Sequence, residues 1–304
     1  MKKRFLIVLA AVSLGMAPVH AAETVKRKAT TTSSKHKQST ASLEEDVRTL
    51  ALQSSAVLVQ DQATGSVLYE KNSTAVLPIA SISKLMTAMV ALDNMPDLRE
   101  VMTITEEDVD MLKGTRSRLK VGTQLTREEM LRLALMSSEN RAASALSRYY
   151  PGGRANFVAA MNRKSQALGL QDTHFSDPTG LTSENVSSAR DLVKMVAAAH
   201  RYPLIREFTT TAEYDVMVDG RQQSFHNTNS LVRSNSWDIG LSKTGFINEA
   251  GKCLVMQAWF NQKPTIIVLL DSWGKLTRIG DANRIKRWLE QTVVAQKAKL
   301  SPQG

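Results

Sequence analysis

The stretch Ser81-Ile82-Ser83-Lys84-Leu85-Met86-Thr87-Ala88-Met89-Val90-Ala91-Leu92 is apolar on nearly every side when wound as a helix. A helix with no polar face cannot lie on a surface, so other elements must enclose it. The chain has to be built around this helix, and Lys84 goes inside with it, screened from water. The elements available to enclose it stand on either side. Residues 55–61 and 66–70 read as strands about a turn at 62–65, an N-terminal hairpin. Residues 237–246, 253–260 and 265–270 read as three more strands, the last two joined by a turn at 261–264. Between these groups, Thr126 with Glu129 forms a capping box ahead of the apolar helix 130–136. Ser188 with Asp191 opens a helix over 192–199, and a final helix is expected from about 278 to 294. There is no internal repeat. Strands that open and close the chain around a helical middle predict an α/β protein of the α+β kind. One antiparallel sheet is assembled from both ends and flanked by helices, with an inserted helical region.

The formal net charge of +10, from 39 Lys+Arg against 29 Asp+Glu in 304 residues, suggests a polyanion partner until its location is examined. Residues 1–41 hold eight Lys/Arg and one Glu, a charge of +7, so the other 263 residues carry only +3. Met1-Lys2-Lys3-Arg4, the apolar run 5–19 and Val19-His20-Ala21-Ala22 follow the order of a secretory signal peptide. Residues 1–21 are therefore expected to be removed by a cut near Ala21, which places the protein in the periplasm. Residues 22–42 are rich in Ser, Thr and Lys and read as a flexible basic tether. Its Lys26-Arg27-Lys28 cluster allows at most a peripheral membrane contact, and no later segment reaches spanning length. Residues 43–304 then form the folded domain. That domain has no basic stripe interleaved with aromatics and no zinc knuckle, which excludes nucleic acid as a partner. The single cysteine, Cys253, excludes a disulfide framework and a Cys-based zinc site, and it reads as a packed apolar side chain.

The chemistry-bearing residues emerge by contrast. There is no Gly-x-Ser-x-Gly elbow, no phosphate-binding loop and no dinucleotide fingerprint. His20 and His36 fall outside the domain, and His174, His200 and His226 lack metal spacing, so a histidine-based serine hydrolase and a metal site are both poorly supported. Lysine is the alternative base. Ser-x-x-Lys puts both side chains on one helical face a turn apart. Desolvation then frees a neutral amine to take the hydroxyl proton. The motif occurs four times, at Ser34/Lys37, Ser81/Lys84, Ser117/Lys120 and Ser272/Lys275. Ser34 lies in the tether, Ser117 in a polar run and Ser272 at a strand end; only Ser81 opens the buried helix. Ser-x-Asn occurs at Ser138-Glu139-Asn140, ending an apolar helix, and at Ser183-Glu184-Asn185, in a polar loop. Lys243-Thr244-Gly245 occurs once, on a candidate strand, where Gly245 would let a substrate backbone approach closely. Each tripeptide alone is common. The three in this order, 57 and then 105 residues apart, make a specific set.

That set resembles the low-molecular-mass penicillin-binding serine DD-peptidases, and within them the D-alanyl-D-alanine endopeptidase branch. The likeness runs from about Ser54 to Leu289 and is densest around residues 78–89, 135–143 and 243–246. Asp177-Pro178-Thr179-Gly180-Leu181, Ser188-Ala189-Arg190-Asp191-Leu192 and Gly251-Lys252-Cys253-Leu254-Val255-Met256 also match. The resemblance implies a β-lactamase/transpeptidase-like fold on a five-stranded antiparallel sheet, without the C-terminal β domain and amphipathic anchor of longer carboxypeptidase relatives. It implies Ser81 as the acylated nucleophile, Lys84 as its proton acceptor and Ser138 as the relay to the leaving amine. Asn140 would hold the substrate amide, and Lys243 and Thr244 would bind its carboxylate. The N–H groups of Ser81 and Phe246 would form the oxyanion hole, with Arg278 a further carboxylate candidate. The substrates would be cross-linked peptides of peptidoglycan, the inhibitors β-lactams, and no metal or cofactor would be needed. A DD-carboxypeptidase is the nearest alternative. A serine β-lactamase is disfavoured because no Glu-x-x-Leu-Asn segment stands between Asn140 and Lys243. A non-catalytic wall-binding module would have no need of Lys84 beside Ser81.

Overall fold

The computed structural model describes residues 50–93, 95–274 and 276–300. The export signal over 1–21 and the tether over 22–42 lie outside the described residues. Five long strands form one sheet: β1 (Ala56–Asp61), β2 (Val67–Lys71), β3 (Ile239–Ile247), β4 (Gly251–Phe260) and β5 (Lys263–Ser272). Their order is β2-β1-β5-β4-β3, every pairing antiparallel, so the N-terminal hairpin joins strands from the end of the chain as expected. β3, which carries Lys243 to Phe246, is an edge strand of this sheet.

The turn before β5 is tighter than the sequence suggests. Only Asn261 and Gln262 lie between the strands, with φ of 50° and 66°, and Phe260 pairs directly with Lys263. Two consecutive left-handed residues match the right-handed twist of a hairpin, which lets Lys263 and Pro264 join the strand. Pro264 has no N–H to give, but it stands near the strand start and its carbonyl accepts from Gln62 N.

Alternation along the strands divides the apolar side chains between two cores. On one face, Val57, Val59, Leu254, Met256, Ile267 and Leu269 pack on Ala282, Ile285 and Leu289 of the last helix, α7 (Thr277–Leu300). The opposite face contributes Leu58, Cys253, Val255, Ile266 and Val268 to the larger core. The helices inserted between β2 and β3 pack there: α1 (Lys84–Asp93), α2 (Arg127–Met136), α3 (Asn140–Arg148), α4 (Gly153–Ala167), α5 (Ala189–Ala199) and α6 (Pro203–Thr210). Every residue of α1 from Lys84 to Ala91 is buried, as its sequence required. The cap predictions hold in detail. Thr126 and Glu129 exchange bonds at the start of α2, and Asp191 N donates to Ser188 Oγ at the start of α5. Among the described residues, no helix is long and apolar enough to cross a membrane. Cys253 sits in the larger core, where burial pushes its thiol up to about 11, so it behaves as a packing residue.

One local departure sets up the site. The helix does not begin at Ser81; a single 3-10 turn, Ala80–Ser83, precedes α1. Ala80 has φ of 48°, a left-handed conformation that an L side chain adopts at a cost of about 1–2 kcal/mol. Two glycines press against this turn from outside it. A Cβ on Gly245 would lie 2.7 Å from Ile79 O and 3.3 Å from Ser81 N, and one on Gly180 would lie 2.0 Å from Ala80 O. The turn is therefore wedged between β3 and the loop holding Gly180. Gly245 also makes room for the turn carrying Ser81.

Candidate active site

Ser81 lies in the 3-10 turn and Lys84 one turn further on, so the pair meets as the i, i+3 spacing dictates. Lys84 Nζ donates to Ser81 Oγ at 2.8 Å, Asn140 Oδ1 at 2.7 Å and Thr179 O at 2.6 Å. The side chain is fully buried. A buried ammonium loses several kcal/mol of hydration, and neutralisation avoids that loss. Desolvation accordingly pulls Lys84 down to about 7, against the opposing charges of Asp177 and Glu139. Near neutrality a substantial share of the amine is free, with a lone pair within hydrogen-bond reach of the Ser81 hydroxyl.

Ser138 stands between α2 and α3 with φ of 62°, another left-handed non-glycine residue. This conformation ends α2: the Leu133 carbonyl collects the N–H groups of Ser137 and Glu139. Its neighbour Glu139 is tied down by the Ser117 hydroxyl at 2.8 Å. The strained position turns Ser138 Oγ to accept from Lys243 Nζ at 2.9 Å. Lys243 also donates to Thr244 O at 2.9 Å and is 1 % exposed. Burial, and then the charges of Lys84 and Arg278, hold its ammonium well below the usual lysine range. An arriving carboxylate would supply the missing counter-charge. Thr244 Oγ1 shares a 2.6 Å bond with Thr228 Oγ1.

The other predicted residues are distributed less simply. Asn140 opens α3 and spans the site: its Oδ1 accepts from Lys84, while its Nδ2 donates to Thr115 Oγ1 at 3.0 Å. Phe246 is 55 % exposed, with Lys252 Nζ 4.8 Å from its ring centroid. Arg278 directs Nη1 onto two main-chain carbonyls, Gly245 O at 3.0 Å and Cys253 O at 3.1 Å. It clamps β3 to β4 beside the site.

Sequence reasoning assigned no role to the loop 176–185, which supplies the third acceptor of Lys84. Asp177 organises it, accepting from Thr179 Oγ1 at 2.7 Å, Gly180 N at 2.6 Å and Thr182 N at 2.9 Å. Thr87 Oγ1 of α1 donates to Pro178 O at 2.6 Å. Asn185, expected in a polar loop, is fully buried; its Oδ1 accepts from Ser176 N and Asp177 N, and its Nδ2 donates to Ser83 Oγ and Asp177 O. The second Ser-x-Asn is thus a structural pin. The matching stretch Asp177 to Leu181 was the available signal, but it could not reveal that a backbone carbonyl is the contact. Gly180→Ala is expected to cost about 2–4 kcal/mol, because φ of +80° and the clash with Ala80 O act together. A lower denaturation midpoint at unchanged slope would register it; an unaltered midpoint would contradict it.

The remaining Ser-x-x-Lys serines are occupied elsewhere, Ser117 by Glu139 and Ser272 by Ser54 Oγ at 2.7 Å. Ser34, Lys37 and Lys275 lie outside the described residues. His174 pairs through its backbone with Val186, and His226 faces Glu213 on the surface. Among the described residues, no group of three or more His, Cys, Asp or Glu is arranged to hold a metal.

Comparison with known proteins agrees with this geometry. The family model described as D-alanyl-D-alanine carboxypeptidase matches residues 38–274. A D-alanyl-D-alanine endopeptidase of Pseudomonas aeruginosa is 50% identical over 241 residues, covering 79% of this chain and 78% of that protein. One from Escherichia coli is 45% identical over 239 residues, covering 78% and 77%. The D-alanyl-D-alanine carboxypeptidase DacF of Bacillus subtilis is 36% identical over 210 residues, 67% of this chain and 53% of that one. Among solved structures, the Streptomyces K15 DD-transpeptidase superposes with a TM-score of 0.73 at 28% identity, covering 79% of this chain and 97% of that one.

Proposed function

The chain belongs to the D-alanyl-D-alanine carboxypeptidase family of serine peptidases, and from that premise we propose that it is a penicillin-reactive DD-endopeptidase cutting the D-Ala-to-diamino-acid cross-links of peptidoglycan. The observation that carries the chemistry is the 2.8 Å contact from Lys84 Nζ to Ser81 Oγ, made by an amine held near 7. Neutral Lys84 takes the Ser81 proton as Oγ attacks the D-Ala carbonyl carbon. The oxyanion so formed is received by the N–H groups of Ser81 and Phe246. As the carbon–nitrogen bond breaks, the leaving amine takes the Ser138 hydroxyl proton, which the protonated Lys84 replaces, so that Lys84 is neutral again; Lys243 orients Ser138. The carboxylate beside the leaving amine sits at Lys243 and Thr244. Water then attacks the Ser81 ester, again losing its proton to Lys84, and releases the acid. The reading assigns no metal or cofactor a role.

Two observations favour this reading over its neighbours. The relatives at 50% and 45% identity are named endopeptidases, whereas the carboxypeptidase DacF is 36% identical. Against a β-lactamase, no Glu-x-x-Leu-Asn segment stands between Asn140 and Lys243 to supply a base for rapid deacylation. On this reading residues 1–21 are a cleaved export signal, 22–42 a basic tether and 43–304 the catalytic domain, and the enzyme works in the periplasm, against the wall. Digestion of purified cross-linked muropeptides tests the substrate. Dimers are expected to become monomers, while pentapeptide monomers keep their terminal D-Ala. Loss of terminal D-Ala with dimers intact would replace this reading with the carboxypeptidase one.

A further inference from the structure

We propose that Lys113 and Glu249 form the far end of the acyl-donor subsite, and that they select a donor residue whose side chain ends in both an ammonium and a carboxylate. The inference rests on the endopeptidase reading above and specifies which donor stem it accepts. Lys113 Nζ meets Glu249 Oε1 at 2.5 Å, joining positions 136 residues apart. The contact spans the two walls of the cleft. Lys113 belongs to a loop seated on one wall, where Thr115 Oγ1 accepts from Asn140 Nδ2. Glu249 lies in the turn that follows β3 on the other wall, four residues past Gly245.

The direction of the substrate follows from the order of groups along β3. Lys243 and Thr244 take the carboxylate on the leaving side, and Gly245 lies against the N–H of Ser81. The acyl side of the substrate therefore runs past Phe246 toward Glu249. Four residues of strand span at most about 13 Å, a distance that the residue preceding the D-Ala covers with its backbone and a long side chain. Behind the loop, a cavity of about 310 Å³ is lined both by apolar side chains such as Met111, Leu112 and Leu181 and by charged ones such as Asp110 and Arg154.

The loop is held ready. Asp110 accepts the N–H groups of Leu112, Lys113 and Thr115, at 2.8, 3.0 and 2.9 Å. The ion pair itself is easily exchanged. Its side chains are 32% and 44% exposed, and such pairs contribute only about 0–1 kcal/mol. A donor carrying both charges can replace each partner with its own group, ammonium on Glu249 and carboxylate on Lys113, leaving neither unpaired. A donor with one charge, or none, breaks the pair without replacing it.

The test compares kcat/KM for wild type, Glu249→Gln and Lys113→Met on a cross-linked dimer with its free donor ammonium and carboxylate, and on the same dimer with that ammonium acetylated. Benzylpenicillin acylation is the control, because its side chain carries no such groups. Glu249→Gln is expected to lower kcat/KM on the native donor about fivefold. Acetylation should lower wild type equally and erase the difference between wild type and Glu249→Gln. Lys113→Met should show the same pattern with an amidated donor carboxylate. Equal wild-type rates on native and modified donors would overturn the proposal. So would variants that lose penicillin acylation in step with peptide cleavage, since that marks a general disturbance of the cleft. Wild-type protein that cuts neither dimer yet is acylated by penicillin would overturn the endopeptidase reading and this inference with it.

Discussion

Ser81→Ala is expected to remove dimer cleavage by at least about 10⁴-fold, because no other described hydroxyl combines a neutral base with an approach to the cleft. Ser138 is the nearest competitor. Its Oγ accepts from Lys243, whose amine is shared with the Thr244 carbonyl. Stability should change by less than about 1 kcal/mol, since Ser81 Oγ gives the fold one hydrogen bond from a group that keeps two other acceptors. Cleavage rate and thermal midpoint, measured on the same preparation, separate a lost nucleophile from a lost fold. Residual cleavage within about tenfold of wild type would mean that the nucleophile lies elsewhere.

The second large effect belongs to Lys84. Lys84→Met should lower kcat/KM by about 10³-fold, the range for a general base. Lys84→Arg should restore nothing, because a guanidinium holds its proton at any pH the protein survives. In the wild type the base works only when neutral. The amine titrates near 7, so kcat/KM should rise about tenfold per pH unit below 7 and level off above it. The sign follows from the cause. Burial penalises the charged form and brings the pKa down from the ordinary lysine range, so activity is lost on acidification. A profile that falls between pH 6 and 8, or first rises near 10, would show that Lys84 is not the base.

Much of this fold could be read in advance, for a definite physical reason. The all-round apolar run from Leu85 to Leu92, the capping pair Thr126/Glu129 and the cap at Ser188 are local signals, and each is where it was expected. Side-chain partners were legible in part: Lys84 meets Ser81 and Asn140, and Lys243 meets Ser138. What the sequence concealed is main-chain geometry enforced by distant partners. Ala80 and Ser138 adopt left-handed φ although neither is glycine, because Gly180 and Gly245 wedge one turn and the end of α2 directs the other. The third acceptor of Lys84 is a carbonyl, Thr179 O, which no residue type announces. Arg278, set out as a carboxylate ligand, places Nη1 on strand carbonyls from the first turn of α7, a helix that packs on β4 and β5.

Mapping the penicillin adduct tests the central claim most directly. Intact protein incubated with benzylpenicillin and digested is expected to carry one penicilloyl group, on the peptide containing Ser81, with no adduct in Ser81→Ala. An adduct on Ser138 or Ser117, or no adduct on protein shown to be folded, would contradict an acyl-enzyme at Ser81.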